Sequence, residues 1–480
     1  MEAGTESVEW VRREFARADL CDKRLDRRLL KTAEQLTNSP SSPINEACGT
    51  WASTQAAYRL FNNPKASPSG ILKPHIDATV ERIAGHGGPV LVMQDTVFFS
   101  YGTHPKTRGL GSIGKGNDAG ERGLIMHNAL AFTTSGVPLG LLSQNIWARR
   151  EISAEDYQEK IERLQVTAIE EKESSKWLVA LSETVERSPA GVQVITVADR
   201  ESDFFEFLTQ AKELRAKYLI RARTDRKLVP EDSEGCARML EALSDAAALG
   251  TMTVEVPGNG SRKARTACLD VRVAQVAIKA PQRRGHAKAS GSSEPVTVTL
   301  IGATEQSPPV GTAAISWVLL TNLTVKGFES ATEKVQWYGK RWCIETWHKV
   351  LKSGCKVEDC LLEEAERLKR YLTLFSIIGV RLMHVAYLAR AHPDLPATDV
   401  FSTVEVQVLH LRVTKALPPA TQKALTLREV VRMLGKLGGH LGRTGDGEPG
   451  VLVLWRGWMR LYESVEMLHS LQSAGLVEAH

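Results

Sequence analysis

Tyr338-Gly339-Lys340-Arg341-Trp342-Cys343-Ile344-Glu345-Thr346-Trp347-His348-Lys349-Val350-Leu351-Lys352 is the stretch on which the reading of this chain turns. It reads as one helix. Tyr338, Arg341, Glu345 and Lys352 lie at i, i+3, i+7 and i+14, which on an α-helix puts them on one face. A face of that kind is often only solvated, with an Arg341–Glu345 pair contributing a few tenths of a kcal/mol. Here, however, Trp337, Trp342 and Trp347 crowd the same segment. Aromatic rings interleaved with cations suit stacking on bases and gripping phosphates.

Outward from this helix, two short apolar runs each end in an aspartate. They are Pro89-Val90-Leu91-Val92-Met93-Gln94-Asp95 and Val192-Gln193-Val194-Ile195-Thr196-Val197-Ala198-Asp199. Such runs predict strands covered on both faces. An open α/β sheet presents ligand groups beyond its strand ends, where Asp95 and Asp199 are expected. One strand-end aspartate is weak evidence, because turns and caps use the same residue. Three carboxylates drawn to one place repel unless cations lie between them. Asp95, Asp199 and Glu345 together suit two Mg²⁺ ions bridged by a phosphate, with Mn²⁺ as a substitute, and such a pair cuts and joins phosphodiester bonds.

The 480 residues suffice for two or three domains, and the composition is that of a soluble globular chain: 42% hydrophobic, 24% charged, net charge +5. Seven cysteines, an odd count with no CxxC pair, argue against a disulfide framework and for a reducing cytoplasm. His348, Cys355 and Cys360 are near one another, but their spacing matches no common zinc site. The N-terminus is acidic and lacks the apolar core of a signal peptide. Leu372 to Leu388 is the most apolar stretch, yet it carries Arg381 and His384, which predicts a buried helix and no membrane span.

The chain opens on helices. Arg24, Arg27, Arg28 and Lys31 share one face of the first, opposite Leu25, Leu29 and Leu30, and a second helix runs through Trp51, Tyr58 and Phe61 to Asn62-Asn63-Pro64. Strands follow from about residue 88: Val90 to Met93, with Thr96 to Tyr101 continuing or pairing beside it, then Leu124 to Thr133 and Val137 to Trp147. A charged helix is expected from about Ala154 to Glu186. Val192 to Ala198 and Tyr218 to Arg223 read as strands flanking a helix. Residues 225 to 310 alternate β-branched residues and read as a β-rich insertion, with basic loops at Ser261 to Arg265 and Gln282 to Lys288. Trp317 to Leu323 is a strand. Beyond the Glu345 helix the chain reads as helical: Ala365 to Arg390, Val404 to Val413, Leu427 to Leu437 and Leu454 to Gln472. Leu454, Trp455, Trp458, Leu461 and Leu468 form an apolar stripe, for the chain's own core or for a partner.

The Tyr338-x-x-Arg341-x-x-x-Glu345-x-x-x-x-x-x-Lys352 pattern resembles that of bacterial cut-and-paste DDE transposases of the insertion-sequence-four family, Tn-five type. Ala57-Tyr58-Arg59, Gln94-Asp95-Thr96, Asp199-Arg200-Glu201, Trp317 with Leu319-Leu320-Thr321, and Leu454-Trp455-x-Gly457-Trp458 extend the resemblance along almost the whole chain. It implies an α/β chain with a ribonuclease H-like catalytic core. Residues 1–70 would bind the end DNA, 71–390 would form the core with its insertion, and 391–480 would dimerise. Asp95, Asp199 and Glu345 would be the metal-binding DDE triad. Arg24, Arg28, Arg221, Arg223, Trp317, Tyr338, Arg341, His348, Lys349 and Lys352 would contact DNA, with Trp317 stacking on a base. The implied partners are double-stranded DNA, as terminal inverted repeats and target, and a second copy of the chain in a synaptic complex. The implied steps are nicking, hairpin formation, hairpin opening and strand transfer. The implied setting is a bacterial cytoplasm, on the nucleoid. The alternative is a domesticated, catalytically reduced DNA-binding regulator.

Overall fold

The computed structural model describes residues 6–114, 121–149, 167–256, 264–281, 294–417 and 424–477. The basic loop around residue 285, most of the Ser261 to Arg265 loop and the start of the helix expected from Ala154 lie outside these residues.

The chain begins with α1 (Glu6–Phe15), α2 (Lys23–Asn38), α3 (Ile44–Cys48), α4 (Trp51–Asn62) and α5 (Pro68–Gly85). The α2 helix starts where the Asp22 side chain accepts the Arg24 N–H; it buries Leu29, Ala33 and Leu36 and leaves Arg24, Arg27 and Lys31 exposed. Thr50 caps α4 in the same way. A buried polar chain ties α1 and α5 to the central sheet. His75 Nδ1 donates to Glu14 Oε2 at 2.5 Å, and Arg82 Nη1 donates to Glu14 Oε1 at 2.6 Å. Arg82 Nε donates to the Leu139 carbonyl, and the Leu141 N–H donates to His75 Nε2 at 3.0 Å.

Ten strands form one mixed sheet: β1 (Val90–Ser100), β2 (Gly111–Ser112), β3 (Arg122–Thr133), β4 (Pro138–Trp147), β5 (Val194–Ala198), β6 (Lys217–Arg221), β7 (Ala248–Val256), β8 (Arg265–Ile278), β9 (Val296–Glu305) and β10 (Ser316–Thr321). Their order is β2-β3-β1-β5-β6-β10-β9-β8-β7, with β4 also on β3. The parallel pairs are β1–β5 and β5–β6, and the remainder are antiparallel. The strands of the 225–310 segment therefore lengthen the central sheet through β10. The covering helices α6 (Ser175–Arg187), α7 (Phe205–Glu213) and α8 (Met239–Asp245) lie between strands in the chain.

Three expectations need correction. The helix expected from about Ala154 to Glu186 is not continuous, since among the described residues Ile169–Glu171 forms a 3₁₀ turn and the α-helix begins only at Ser175. Asp95 does not end a strand. It is the sixth residue of an eleven-residue strand, because β3 pairs with β1 along its whole length, Asp95 opposite Asn128. What ends there is the other neighbour, since β5 pairs only with Val90 to Met93. The Glu345 segment is also not one helix. It is α9 (Phe328–Gly339), α10 (Trp342–Lys349) and a wide π-helical turn, Val350–Gly354. Between α9 and α10 the N–H groups of Lys340, Arg341, Cys343 and Ile344 each bond three residues back, which tightens the turn and offsets the axis.

The C-terminal part packs α11 (Ala365–Ala391), α12 (Thr403–Thr414), α13 (Leu427–Leu437) and α14 (Val451–Ser473). The α11 helix has the length and hydropathy of a membrane span, but 83% of that apolar window is buried inside the chain. The stripe of Leu454, Trp455, Trp458 and Leu461 is buried with Val465 in the chain's own core, and Leu468 is half-exposed. Of the two options for that stripe, the intramolecular one holds. Close crossing of α13 and α14 needs Gly457, where a Cβ would stand 1.9 Å from the Leu434 carbonyl oxygen. Buried Arg381 of α11 lies 5.8 Å from the Trp10 ring and 5.9 Å from the Trp458 ring, joining α1 to α14.

Candidate active site

Parallel pairing of β1 and β5 sets the first two carboxylates. Met93 lies opposite Val197, and Asp95 and Asp199 are each two residues further along their segments. A shift of two residues returns to the same face of the sheet, so the two side chains leave it side by side. Asp199 follows β5 as the cap of a 3₁₀ turn. Its Oδ1 accepts the Glu201 N–H at 2.9 Å, and its carbonyl accepts the Ser202 hydroxyl at 2.7 Å.

Glu345 and Arg341 arrive from α10 and its N-terminal junction. Arg341 donates to Glu345 Oε1 through Nη2, and its Nη1 stands 3.5 Å from Asp95 Oδ2. Asp95 Oδ1 accepts the Thr96 N–H at 2.8 Å. The Asp95 side chain is only 17% exposed. Burial pushes its pKa up to about 7; Arg341 and the Thr96 N–H oppose that shift, and the neighbouring Asp199 and Glu345 charges add to it. Asp95 thus feels the other two carboxylates, which are far from it in sequence. Arg341 keeps its charge: burial works against it, and Glu345 and Asp95 outweigh burial.

A cationic and aromatic wall adjoins the carboxylates. Buried Tyr338 lies between Arg341 and Arg221; burial raises its pKa, and both guanidinium groups pull it back. The Trp317 ring meets the Tyr338 ring at 5.6 Å, edge to face. Arg221 donates to the Ser316 carbonyl at 3.0 Å. Its own pKa is lowered by burial first, then by Arg200 and Arg341. Arg200, directly after Asp199, is exposed.

Other anticipated residues are distributed around this centre. His348 is buried with Nδ1 3.9 Å from Asp95 Oδ2, and burial, then Lys352 and Arg341, hold it neutral, with a pKa of about 3. In this arrangement it is no cation for a phosphate. Lys349 is exposed. Lys352, carried by the π turn, bonds Glu358 Oε1 at 3.1 Å and lies 5.7 Å from the Phe99 ring. Glu358 also accepts the Ser100 N–H at 2.8 Å, so it fixes Lys352 against the end of β1, a link no sequence spacing signalled. Arg223 is exposed, and its N–H donates to Asp203 at 2.6 Å. Arg24 is exposed beside Asp22, and Arg28 is half-buried with Nη1 buried and unbonded. Both belong to α2, which packs on α1, α3 and α4.

Three hard carboxylate oxygens suit Mg²⁺ or Mn²⁺ in their chemistry, and the mutual repulsion felt by Asp95 is what a bound cation relieves. Among the described residues no three His, Cys, Asp or Glu side chains stand together ready to grip one ion. The positive charge present is the Arg341 guanidinium, which engages Asp95 and Glu345 together.

Residues 7–66, spanning α1 to α4, match the family model described as transposase DNA-binding. Residues 377–473, from within α11 to the end of α14, match the model described as transposase Tn5 dimerisation domain. The two matches support a transposase that binds DNA and forms a dimer.

Proposed function

We propose that this chain is a cut-and-paste DDE transposase. The observation that carries the reading is Arg341 bridging Asp95 and Glu345, with the Tyr338 and Trp317 rings packed nearby. Two carboxylates converging on one largely buried arginine serve no purpose in simple DNA binding, and a guanidinium group suits the phosphate of a DNA strand. A domesticated regulator is accordingly the poorer reading.

In this proposal residues 1–70 hold the transposon end, 71–390 form a ribonuclease H-like core extended by the β insertion, and 391–480 dimerise. Asp95, Asp199 and Glu345 hold two divalent ions. When bound, these ions supply an activated water or 3′-hydroxyl and stabilise the leaving oxygen. The chain's own residues bind and orient the strand. Arg341, Arg221 and Tyr338 grip the phosphate beside the cut, and Lys352, held by Glu358, meets the end DNA near β1. Trp317 stacks on an extruded base while the end folds into a hairpin, which is then opened and joined to target DNA.

The test is cleavage of DNA carrying the element's ends, with and without Mg²⁺, by the parent and by Asp95→Ala, Asp199→Ala and Glu345→Ala. Each variant is expected to bind the end and fail to cut it. Normal cutting by any one of them removes that carboxylate from the proposal.

A further inference from the structure

The Arg341 side chain engages Glu345 Oε1 with one terminal nitrogen and Asp95 Oδ2 with the other. Both partners belong to the carboxylate set, and the guanidinium is only 14% exposed. His348 Nδ1 lies further off, 3.9 Å from Asp95 Oδ2. Arg341 is thus the cation in direct contact with both carboxylates. A divalent ion that takes oxygens from Asp95 and Glu345 meets that guanidinium at contact range, where like charges repel and water is largely excluded.

The surroundings offer Arg341 somewhere to go. It sits at the tightened junction between α9 and α10, one turn from Tyr338, whose ring meets that of Trp317, and Arg221 holds the carbonyl of the neighbouring Ser316. Among the described residues no carboxylate bridges Arg221 in the way that Asp95 and Glu345 bridge Arg341. A DNA phosphate placed against Arg221 attracts Arg341 off the carboxylates.

We infer that Arg341 is the resident countercation of the site, and that it exchanges between the Asp95–Glu345 pair and a DNA phosphate. While it holds the carboxylates it competes with the metal; once a phosphate draws it away, the oxygens are released. Metal and DNA then favour each other's binding, and the coupling is equal in both directions. The protein without DNA keeps its carboxylates covered, which guards against unproductive metal-dependent cutting. The inference rests on the metal-site reading given above.

The experiment is a Mn²⁺ titration of the full-length protein without DNA, with free Mn²⁺ followed by electron paramagnetic resonance. The parent is compared with Arg341→Ala, Arg341→Gln, Arg341→Lys and Asp95→Asn. Removing the charge is expected to tighten Mn²⁺ binding by about tenfold, within the usual range of coupling between two ligands. Arg341→Lys keeps the charge and is expected to stay near the parent. Arg341→Gln retains a donor toward Glu345, so it reports on the exchange even where the alanine variant melts early. If Arg341→Ala and Arg341→Gln bind Mn²⁺ no more tightly than the parent while Asp95→Asn loses it, the countercation role falls and the metal site stands. If Asp95→Asn binds Mn²⁺ as the parent does, the metal-site reading falls and this inference with it.

Discussion

The Trp317 ring rests edge-on against the Tyr338 ring, 5.6 Å between centroids. Trp317 is half-exposed and Tyr338 is buried, so the tryptophan forms the outer layer of the wall beside the carboxylates. That ring contact adds about 0.5–1.5 kcal/mol to what Trp317 gains by packing its inner edge on the core. Stacking on a displaced base is worth about 1–3 kcal/mol. Trp317→Ala is therefore expected to melt somewhat below the parent and to nick ends, yet to accumulate nicked product with little hairpin on a denaturing gel. Loss of every step together with a large drop in melting temperature would make Trp317 a structural residue only.

Acid should loosen the attachment of α1 and α5 to the sheet. Burial keeps His75 neutral, against the pull of Glu14, and its Nε2 must stay unprotonated to accept the Leu141 N–H. A histidine depressed in the fold contributes stability that is present above its unfolded value of about 6.5 and is lost as pH falls through it. Half-buried His384, depressed to about 4 by the loss of solvent around it, acts in the same direction and costs about 2 kcal/mol between pH 7 and pH 5. Glu14 stays below the usual carboxylate range: burial raises it, but the hydrogen bond from neutral His75 and the Arg82 guanidinium lower it more, so its contribution fades only below about pH 4.5. Thermal melts from pH 7.5 to 5 should show falling stability, with a shallower fall for His75→Gln. Identical slopes would mean that His75 accepts its proton without cost.

The arginines proposed to touch end DNA should separate into two kinds. Arg24 and Arg223 are exposed, so alanine there should leave melting unchanged, weaken end binding and lower the salt slope by about one ion. Arg28 and Arg221 are half-buried, and Arg221 holds the Ser316 carbonyl, so their alanine variants should also melt earlier. Binding measured from 50 to 300 mM salt on folded variants decides this. Unchanged affinity and slope in all four would reduce them to solvated surface charge.

Trp458 tests what the C-terminal stripe does. It is 8% exposed and packs on Phe401 at 5.1 Å and near Arg381. Trp458→Ala should cost about 3–5 kcal/mol of folding stability. An intact melt combined with a shift from dimer to monomer on a sizing column would place that side chain at the subunit contact, against its burial in the single chain.

Much of this molecule was legible in sequence. Short apolar runs ending in aspartate announced β1 and β5, because strands covered on both faces need continuous apolar side chains. Heptad-like spacing announced α2, α4 and the C-terminal helices, because an amphipathic helix must turn one face inward. Charge pattern and aromatic density singled out Asp95, Asp199, Glu345, Tyr338 and Arg341. Tertiary structure alone decided the rest. Whether Asp95 ends its strand depends on β3, whose ladder runs on past the point where β5 stops. Whether residues 338–352 make one helix depends on packing that tightens the chain at Arg341 and widens it at Val350. Whether Trp455 and Trp458 face a partner depends on α11 and α13, which reach them first. Periodicity records which face of an element is apolar. What covers that face, and which charges meet across it, is set by contacts between residues distant in the chain, and no local pattern carries that information.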